Sequence, residues 1–171
     1  MWYVIQTATG KEQELVDTIH KLVPDTIYTK CFVMRRQLLK RLGGAWVEIT
    51  ETLFPSYLFL NTQAPDLMFY ELKKVPEYAK LLGNGQGTFI PLESGEEEFL
   101  IRLNRQDHDD MVELSRVVLD EAGFIIKIDG PLSYFENEIV NLNLRKRFAE
   151  IEIKIAGEWK KVRFGIRLEK D

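Results

Sequence analysis

Apolar and polar positions change period along this chain, and the changes mark its elements. Residues 2–7 alternate and are rich in β-formers, which predicts a strand. From Lys11 to Val23 the apolar residues Leu15, Val16, Ile19, Leu22 and Val23 recur at helical spacing. Thr9 is the expected N-cap with Glu12 three residues on, and Pro24-Asp25 closes the helix. Residues 31–39 and 46–50 read as strands around the basic tip Lys40-Arg41-Leu42-Gly43-Gly44, a hairpin signal. Residues 54–60 form the next strand. Residues 65–74 suit a helix with Pro65 near its first position, and Pro76 is expected to end it. Residues 81–83 read as short and apolar. Ser94 is expected to cap a short acidic helix through Leu103, with Glu97 in the box position.

Beyond residue 104 the texture changes. Residues 104–110 are polar and without period, which predicts a linker. The rest is strand-like. Residues 124–128, 139–144, 149–155, 159–164 and 166–168 are separated by turns at Asp129-Gly130-Pro131 and Ala156-Gly157-Glu158. Short strands at this spacing suggest a small barrel. The first part, strand–helix–strands–helix–strand–helix, has the order of a ferredoxin-like layout. The fold class expected is therefore α+β, in two domains: 1–105, a linker over 106–116, and 117–171.

Length and composition agree with a globular chain. It has 171 residues, 45% hydrophobic and 29% charged. No apolar run approaches the roughly 20 residues that span a bilayer, and no secretory signal is visible, so a cytoplasmic protein without a membrane partner is expected. Cys31 is the single cysteine, which excludes an internal disulfide and a multi-cysteine metal site. The net charge of −4 is uneven: residues 139–168 hold eight basic and three acidic residues, a local basic patch.

Catalytic patterns are missing. His20 and His108 are the two histidines, and neither stands in a metal or nucleophile motif. Asp107-His108-Asp109-Asp110 lacks a second ligand cluster and reads as solvated linker. Gly83-Asn84-Gly85-Gln86-Gly87 precedes no helix, so it reads as a turn and not as a phosphate cradle. A non-enzymatic binding protein is expected, with no cofactor and no metal.

One stretch stands out. In Thr52-Leu53-Phe54-Pro55-Ser56-Tyr57-Leu58-Phe59-Leu60 a proline interrupts a strand-like run and belongs at a strand start, an edge or a bulge. Phe54 and Tyr57 are expected at an open surface. Together with Trp2-Tyr3-Val4-Ile5-Gln6, Thr9-Gly10-Lys11-Glu12, Val75-Pro76 and Leu82-Gly83, this run resembles the N-terminal domain of the NusG transcription factors. Residues 125–132, Ile-Ile-Lys-Ile-Asp-Gly-Pro-Leu, resemble the opening of a KOW domain, an SH3-like barrel, with Glu169-Lys170 at its expected end.

The resemblance implies binding to RNA polymerase, on its clamp helices, through Trp2, Tyr3, Phe54, Pro55 and Tyr57, with suppression of pausing. It also shows departures. General NusG proteins carry a Phe-Gly-Arg turn where this chain has Ala156-Gly157-Glu158, so coupling to Rho or a ribosomal protein through that turn is not expected. The second KOW glycine falls at about Asn137. The first helix is acidic where the DNA-reading paralog RfaH is basic, and residues 150–155 alternate as a committed strand, so no RfaH-like helical switch is expected. Arg145, Lys146, Arg147, Lys160, Lys161 and Arg163 point instead to RNA. The resemblance is then to the specialised, LoaP-type antiterminators: a monomer whose KOW domain takes a hairpin in structured leader RNA. The alternative is a general elongation factor whose KOW domain binds a protein.

Overall fold

The computed structural model describes residues 1–104 and 110–171. Residues 105–109, with His108 and most of the Asp107–Asp110 run, lie outside the described residues. The chain divides into two compact units, Met1–Met34 with Phe54–Glu97, and Arg35–Leu53 with Glu98–Asp171. The expected domains were continuous stretches. In these units the residue 35–53 segment groups with the C-terminal residues.

The first unit is built on the antiparallel sheet β2-β5-β1-β6: β1 is Trp2–Gln6, β2 Lys30–Phe32, β5 Tyr57–Asn61 and β6 Thr88–Pro91. Two split β-α-β connections make this order. α1 (Glu12–Leu22) carries the chain from β1 to β2, leaving room for β5 between them. α2 (Pro65–Leu72) and α3 (Pro76–Gly83) carry it from β5 to β6 across β1. Leu15, Val16 and Ile19 of α1 are buried with Met68, Leu72 and Tyr78 of α2 and α3 against Ile5, Cys31, Leu58 and Leu60 of the sheet. This is the ferredoxin-like layout expected from the order of elements.

Three local expectations change. Lys11, not Thr9, is the N-cap of α1, and it makes no side-chain cap. Pro76 does not merely stop α2; it occupies the first turn of α3, where a missing N–H costs nothing. At α4 (Ser94–Asn104) the Glu93 amide donates to Glu96 Oε1 at 2.9 Å, so the box sits one residue earlier than expected. Glu97 instead accepts from the Trp2 amide at 3.1 Å.

The second unit holds a three-stranded sheet, β4-β3-β7, and a curled five-stranded sheet, β10-β11-β12-β8-β9, of the KOW/SH3-like kind. β3 (Arg35–Leu42) and β4 (Ala45–Thr52) form the expected hairpin. Gly43 and Gly44 both have positive φ, as a two-residue I′ turn demands. β7 is Met111–Val112, β8 Ser115–Leu119 and β9 Ile125–Asp129. A 3-10 segment, Pro131–Glu138, follows, and Asn137 lies in it without a left-handed backbone. β10 is Ile139–Asn143, β11 Phe148–Ile155 and β12 Glu158–Leu168. β11 alternates as read, with Ile151, Ile153 and Ile155 buried. They join Val117, Leu132, Phe135, Val162, Phe164 and Ile166 in this unit's core. β8 adds a strand to those expected from the pattern, and β12 runs unbroken through Gly165, where the pattern suggests two strands.

Candidate functional site

The Phe54–Tyr57 segment is a turn before it is a surface. The Tyr57 amide donates to the Phe54 carbonyl at 3.1 Å, Pro55 holds the second position, and Ser56 in the third has φ 72°. This is the type II pattern, which needs a positive φ at its third residue. The turn is tied at two points, both on Ser56. The Thr7 amide donates to the Ser56 carbonyl at 2.8 Å, and the Ser56 amide donates to Glu12 Oε1 at 2.7 Å. The same carboxylate accepts from the Gly10 amide, at 3.0 Å through Oε2. Burial of Glu12 works to raise its pKa. Backbone N–H donors, that of Ser56 foremost, outweigh it and hold the carboxyl below the ordinary glutamate value.

Strand register sorts the aromatic candidates. Trp2 pairs with Asn61, Val4 with Phe59, and Gln6 with Tyr57, so these residues share one face of the sheet. Phe32, opposite Phe59, belongs to it too. Rings run along this face. Trp2 lies edge-on to Phe32 at 5.7 Å, Phe32 stacks with Phe59 at 5.7 Å, Phe59 meets Phe54 at 5.6 Å, and Phe54 stacks with Tyr57 at 6.4 Å. The structure thus brings Trp2, Phe54 and Tyr57 together, with Pro55 exposed at the turn.

Tyr3 does not join them. It points to the helical face, stacks on Phe89 at 4.5 Å, and lines a cavity of about 470 Å³ with Phe69. Adjacent strand residues cannot share a face, so grouping Trp2 with Tyr3 is corrected by the period of the strand itself. The open-surface expectation for Phe54 and Tyr57 is corrected as well: both are only 2% exposed. The turn folds their rings back against the sheet, and Pro55 is what it presents.

The basic residues of the second unit also separate. Arg145 and Lys146 are exposed between β10 and β11, and Lys161 and Arg163 are exposed on β12. Lys160 is half-buried, with Nζ 3.5 Å from Glu158. Arg147 is turned inward. It is 6% exposed, has φ 63°, and forks onto Asp171 with Nε–Oδ2 2.7 Å and Nη2–Oδ1 2.8 Å. The expectation of an accessible Arg147 is thereby corrected, because the loop conformation aims its side chain at a buried carboxylate.

Acids moderate the exposed cations. Register places Glu152 opposite Lys161 and Glu150 opposite Arg163, and Arg163 Nε lies 3.6 Å from Glu150 Oε2. The Asn141 amide beside Glu150 holds that carboxyl low, with Arg163 and Lys161 adding to it. Free positive charge is therefore concentrated at Arg145 and Lys146 more than along β12.

Two residues beside the hairpin tip, Arg41 of the basic tip and Trp46 at the start of the next strand, carry more than the sequence pattern assigns them. Arg41 and Trp46 are cross-strand partners, and Arg41 lies 5.4 Å over the Trp46 ring. A cation and an aromatic residue one pair back from a two-residue turn, on opposite arms of a hairpin, is the sequence signal for such a contact. Cys31, buried in the first unit, has its thiol pushed up to about 12 by that burial, so it is packing and not chemistry.

Among the described residues no helix is long and apolar enough to cross a membrane. The family model described as "Transcription termination factor nusG" matches residues 1–100. The chain is 18% identical over 161 residues to the transcription termination/antitermination protein NusG of Helicobacter pylori, covering 91% of this chain and 89% of that one. It is 24% identical over 172 residues to NusG of Synechocystis, covering 91% and 82%. A solved structure, "Domain interaction in Thermotoga maritima NusG", superposes with a TM-score of 0.51 at 19% identity, over 96% of this chain and 92% of that one. That likeness carries the fold: a ferredoxin-like sheet and a KOW-type sheet in one chain. With the family model matching more than half of its residues, the chain belongs to the NusG family of transcription termination/antitermination factors.

Proposed function

We propose that this NusG-type factor engages the clamp helices of RNA polymerase with the aromatic face of its β2-β5-β1-β6 sheet, and suppresses pausing and termination from there. The observation that carries the reading is the run of rings from Trp2 through Phe32, Phe59 and Phe54 to Tyr57 on the face opposite the helical core. Phe32, Phe59, Phe54 and Tyr57 are buried, so they form the support of this face, and what it offers to a helical partner is the Trp2 edge and the exposed Pro55 at the turn. Trp2 and Pro55, which reach the surface, are its direct contacts, while Phe54 and Tyr57 hold the turn from below.

Two uses of the second unit follow from different observations. Arg145, Lys146, Lys161 and Arg163, with Ala156-Gly157-Glu158 in place of Phe-Gly-Arg, support a specialised, LoaP-type antiterminator that reads a hairpin in nascent leader RNA. The relatives, which carry the general termination/antitermination name, and the cross-strand acids Glu150 and Glu152 support equally a general factor whose KOW domain takes a protein. In both readings the chain does its work by binding.

The test is transcription by purified polymerase through a terminator downstream of the organism's own hairpin-bearing leader. Readthrough that needs both the protein and the hairpin supports the targeted antiterminator. An equal effect on every template supports the general factor. No effect on any template, with no polymerase binding that Trp2→Ala weakens, overturns the polymerase reading.

A further inference from the structure

Within the second unit, the β3–β4 hairpin and the β11–β12 strands enclose a groove of about 260 Å³. The hairpin contributes Arg41 and Trp46, and the curled sheet contributes Lys146, Arg147, Phe148 and Arg163. We propose that this groove is a nucleotide-binding subsite that takes one unstacked base, with its phosphates, from a single-stranded or loop segment of RNA. The inference rests on the reading in which the second unit binds RNA. It adds residues of the 35–53 hairpin, which that reading does not use.

Ring and guanidinium planes dominate the lining. The Arg147 guanidinium lies 4.6 Å over the Trp46 ring, with Arg41 5.4 Å from the same ring, and Arg163 lies 4.1 Å over Phe148. The fork onto Asp171 immobilises Arg147, so the Arg147–Trp46 pair is a fixed platform. Flipped-out bases in RNA loops are bound on such aromatic and arginine planes.

Charge points the same way. The lining holds five cations, the four named and Lys40, and no carboxylate. Three are partly compensated: Arg147 by Asp171, Arg163 by Glu150, and Lys40 by Glu51 at 3.2 Å. Arg41 and Lys146 have no carboxylate partner among the described residues, and both are exposed at the rim, where a phosphate would arrive. An acidic peptide would be satisfied by the cations alone and would leave the ring stacks unused. A groove of this volume has no room for a duplex.

The test uses the full chain with Trp2→Phe and Trp159→Phe, which leaves Trp46 as the single reporter. The probes are single-stranded octauridylate and, as the alternative, octaglutamate. We expect octauridylate to quench Trp46 fluorescence, and its salt-sensitive affinity, read from the anisotropy of a fluorescein label on the octauridylate, to fall about tenfold or more in Arg41→Gln and in Trp46→Leu. Lys146→Gln, on an exposed turn, should weaken binding without changing the melting temperature, which keeps the test meaningful if a hairpin variant unfolds. Failure of octauridylate to bind or to quench, an affinity unchanged in all three variants, or equal competition by octaglutamate overturns the inference. Hairpin-dependent readthrough that survives Trp46→Leu and Arg41→Gln overturns it while leaving the RNA reading intact. Octauridylate binding without any hairpin-dependent readthrough overturns the RNA-hairpin reading and leaves the subsite standing.

Discussion

The Glu12 carboxylate and the Ser56 amide, 44 residues apart, meet at 2.7 Å and join the start of α1 to the Pro55 turn. Ser56 sits at φ 72°, a conformation that costs a non-glycine residue and persists only where the surroundings hold it. Glu12 supplies that hold, and it also accepts from Gly10. The turn that presents Pro55 thus depends on a buried acid in a different element.

Glu12→Gln should therefore cost about 1–2 kcal/mol in urea unfolding at neutral pH, because the amide cannot match a charged acceptor for two N–H groups. The folded pKa is lowered, so the contribution is fully present above the ordinary glutamate value of 4.5 and lost as pH falls through the lowered value. The gap between wild type and variant should narrow across that acidic window. A gap independent of pH would show that the carboxylate is not the source.

Ala156 offers a cleaner gain. It has φ 53° and Gly157 has φ 80° in the two-residue turn between β11 and β12. Type I′ turns favour Asn-Gly for this reason. Ala156→Asn should raise stability by about 1 kcal/mol, read as a higher melting temperature, and Ala156→Val should lower it.

The sequence displays some of this architecture and hides the rest for physical reasons. The alternation of residues 149–155, the Gly43-Gly44 turn and Pro65 at a helix start are local signals, and each has the structure it predicts. α3 was hidden because Pro76 closes one helix and opens another with the same residue. Trp2 and Tyr3 were separable by the period of two alone. The inward turn of Arg147 was not legible, since its cause is Asp171, 24 residues on. The groove was less legible still: Trp46 and Arg147 are about a hundred residues apart, and only the folded unit stacks them.

Gly165 marks where β12 passes under β3. A Cβ there would meet the Gln37 carbonyl oxygen and lie 2.5 Å from Leu114 Cδ2. The obstacle is partly backbone and cannot rotate away, so Gly165→Ala should cost about 2–3 kcal/mol. Circular dichroism melting reads the loss. Limited proteolysis should show early cleavage in the 35–53 hairpin, and an unchanged melting temperature would contradict the close approach.

Cys31 should be inert in the folded chain. It is 4% exposed, and burial pushes its thiol up to about 12, so almost no thiolate exists at neutral pH. A thiol-reactive chromogenic disulfide should modify it slowly in buffer and rapidly in urea. Fast modification of the native protein would place the thiol outside the core formed with Leu58 and Leu60.

Arg147 and Lys146 are neighbours in sequence with opposite fates, and this separates stability from binding. The Arg147 hydrogen bonds hold the Asp171 carboxyl below its ordinary value of 3.8, against the effect of burial. That contribution is present above 3.8 and lost as pH falls through the lowered value. Asp171→Asn leaves the Arg147 charge without its counterion in a site where its side chain is 7% exposed, and should cost about 3 kcal/mol at pH 7. Arg147→Gln should lose a similar amount and weaken octauridylate binding, because the platform under Trp46 goes with it. Lys146→Gln should weaken binding alone. Equal effects of Lys146→Gln and Arg147→Gln on the melting temperature would mean that Arg147 is not the buried anchor of this loop.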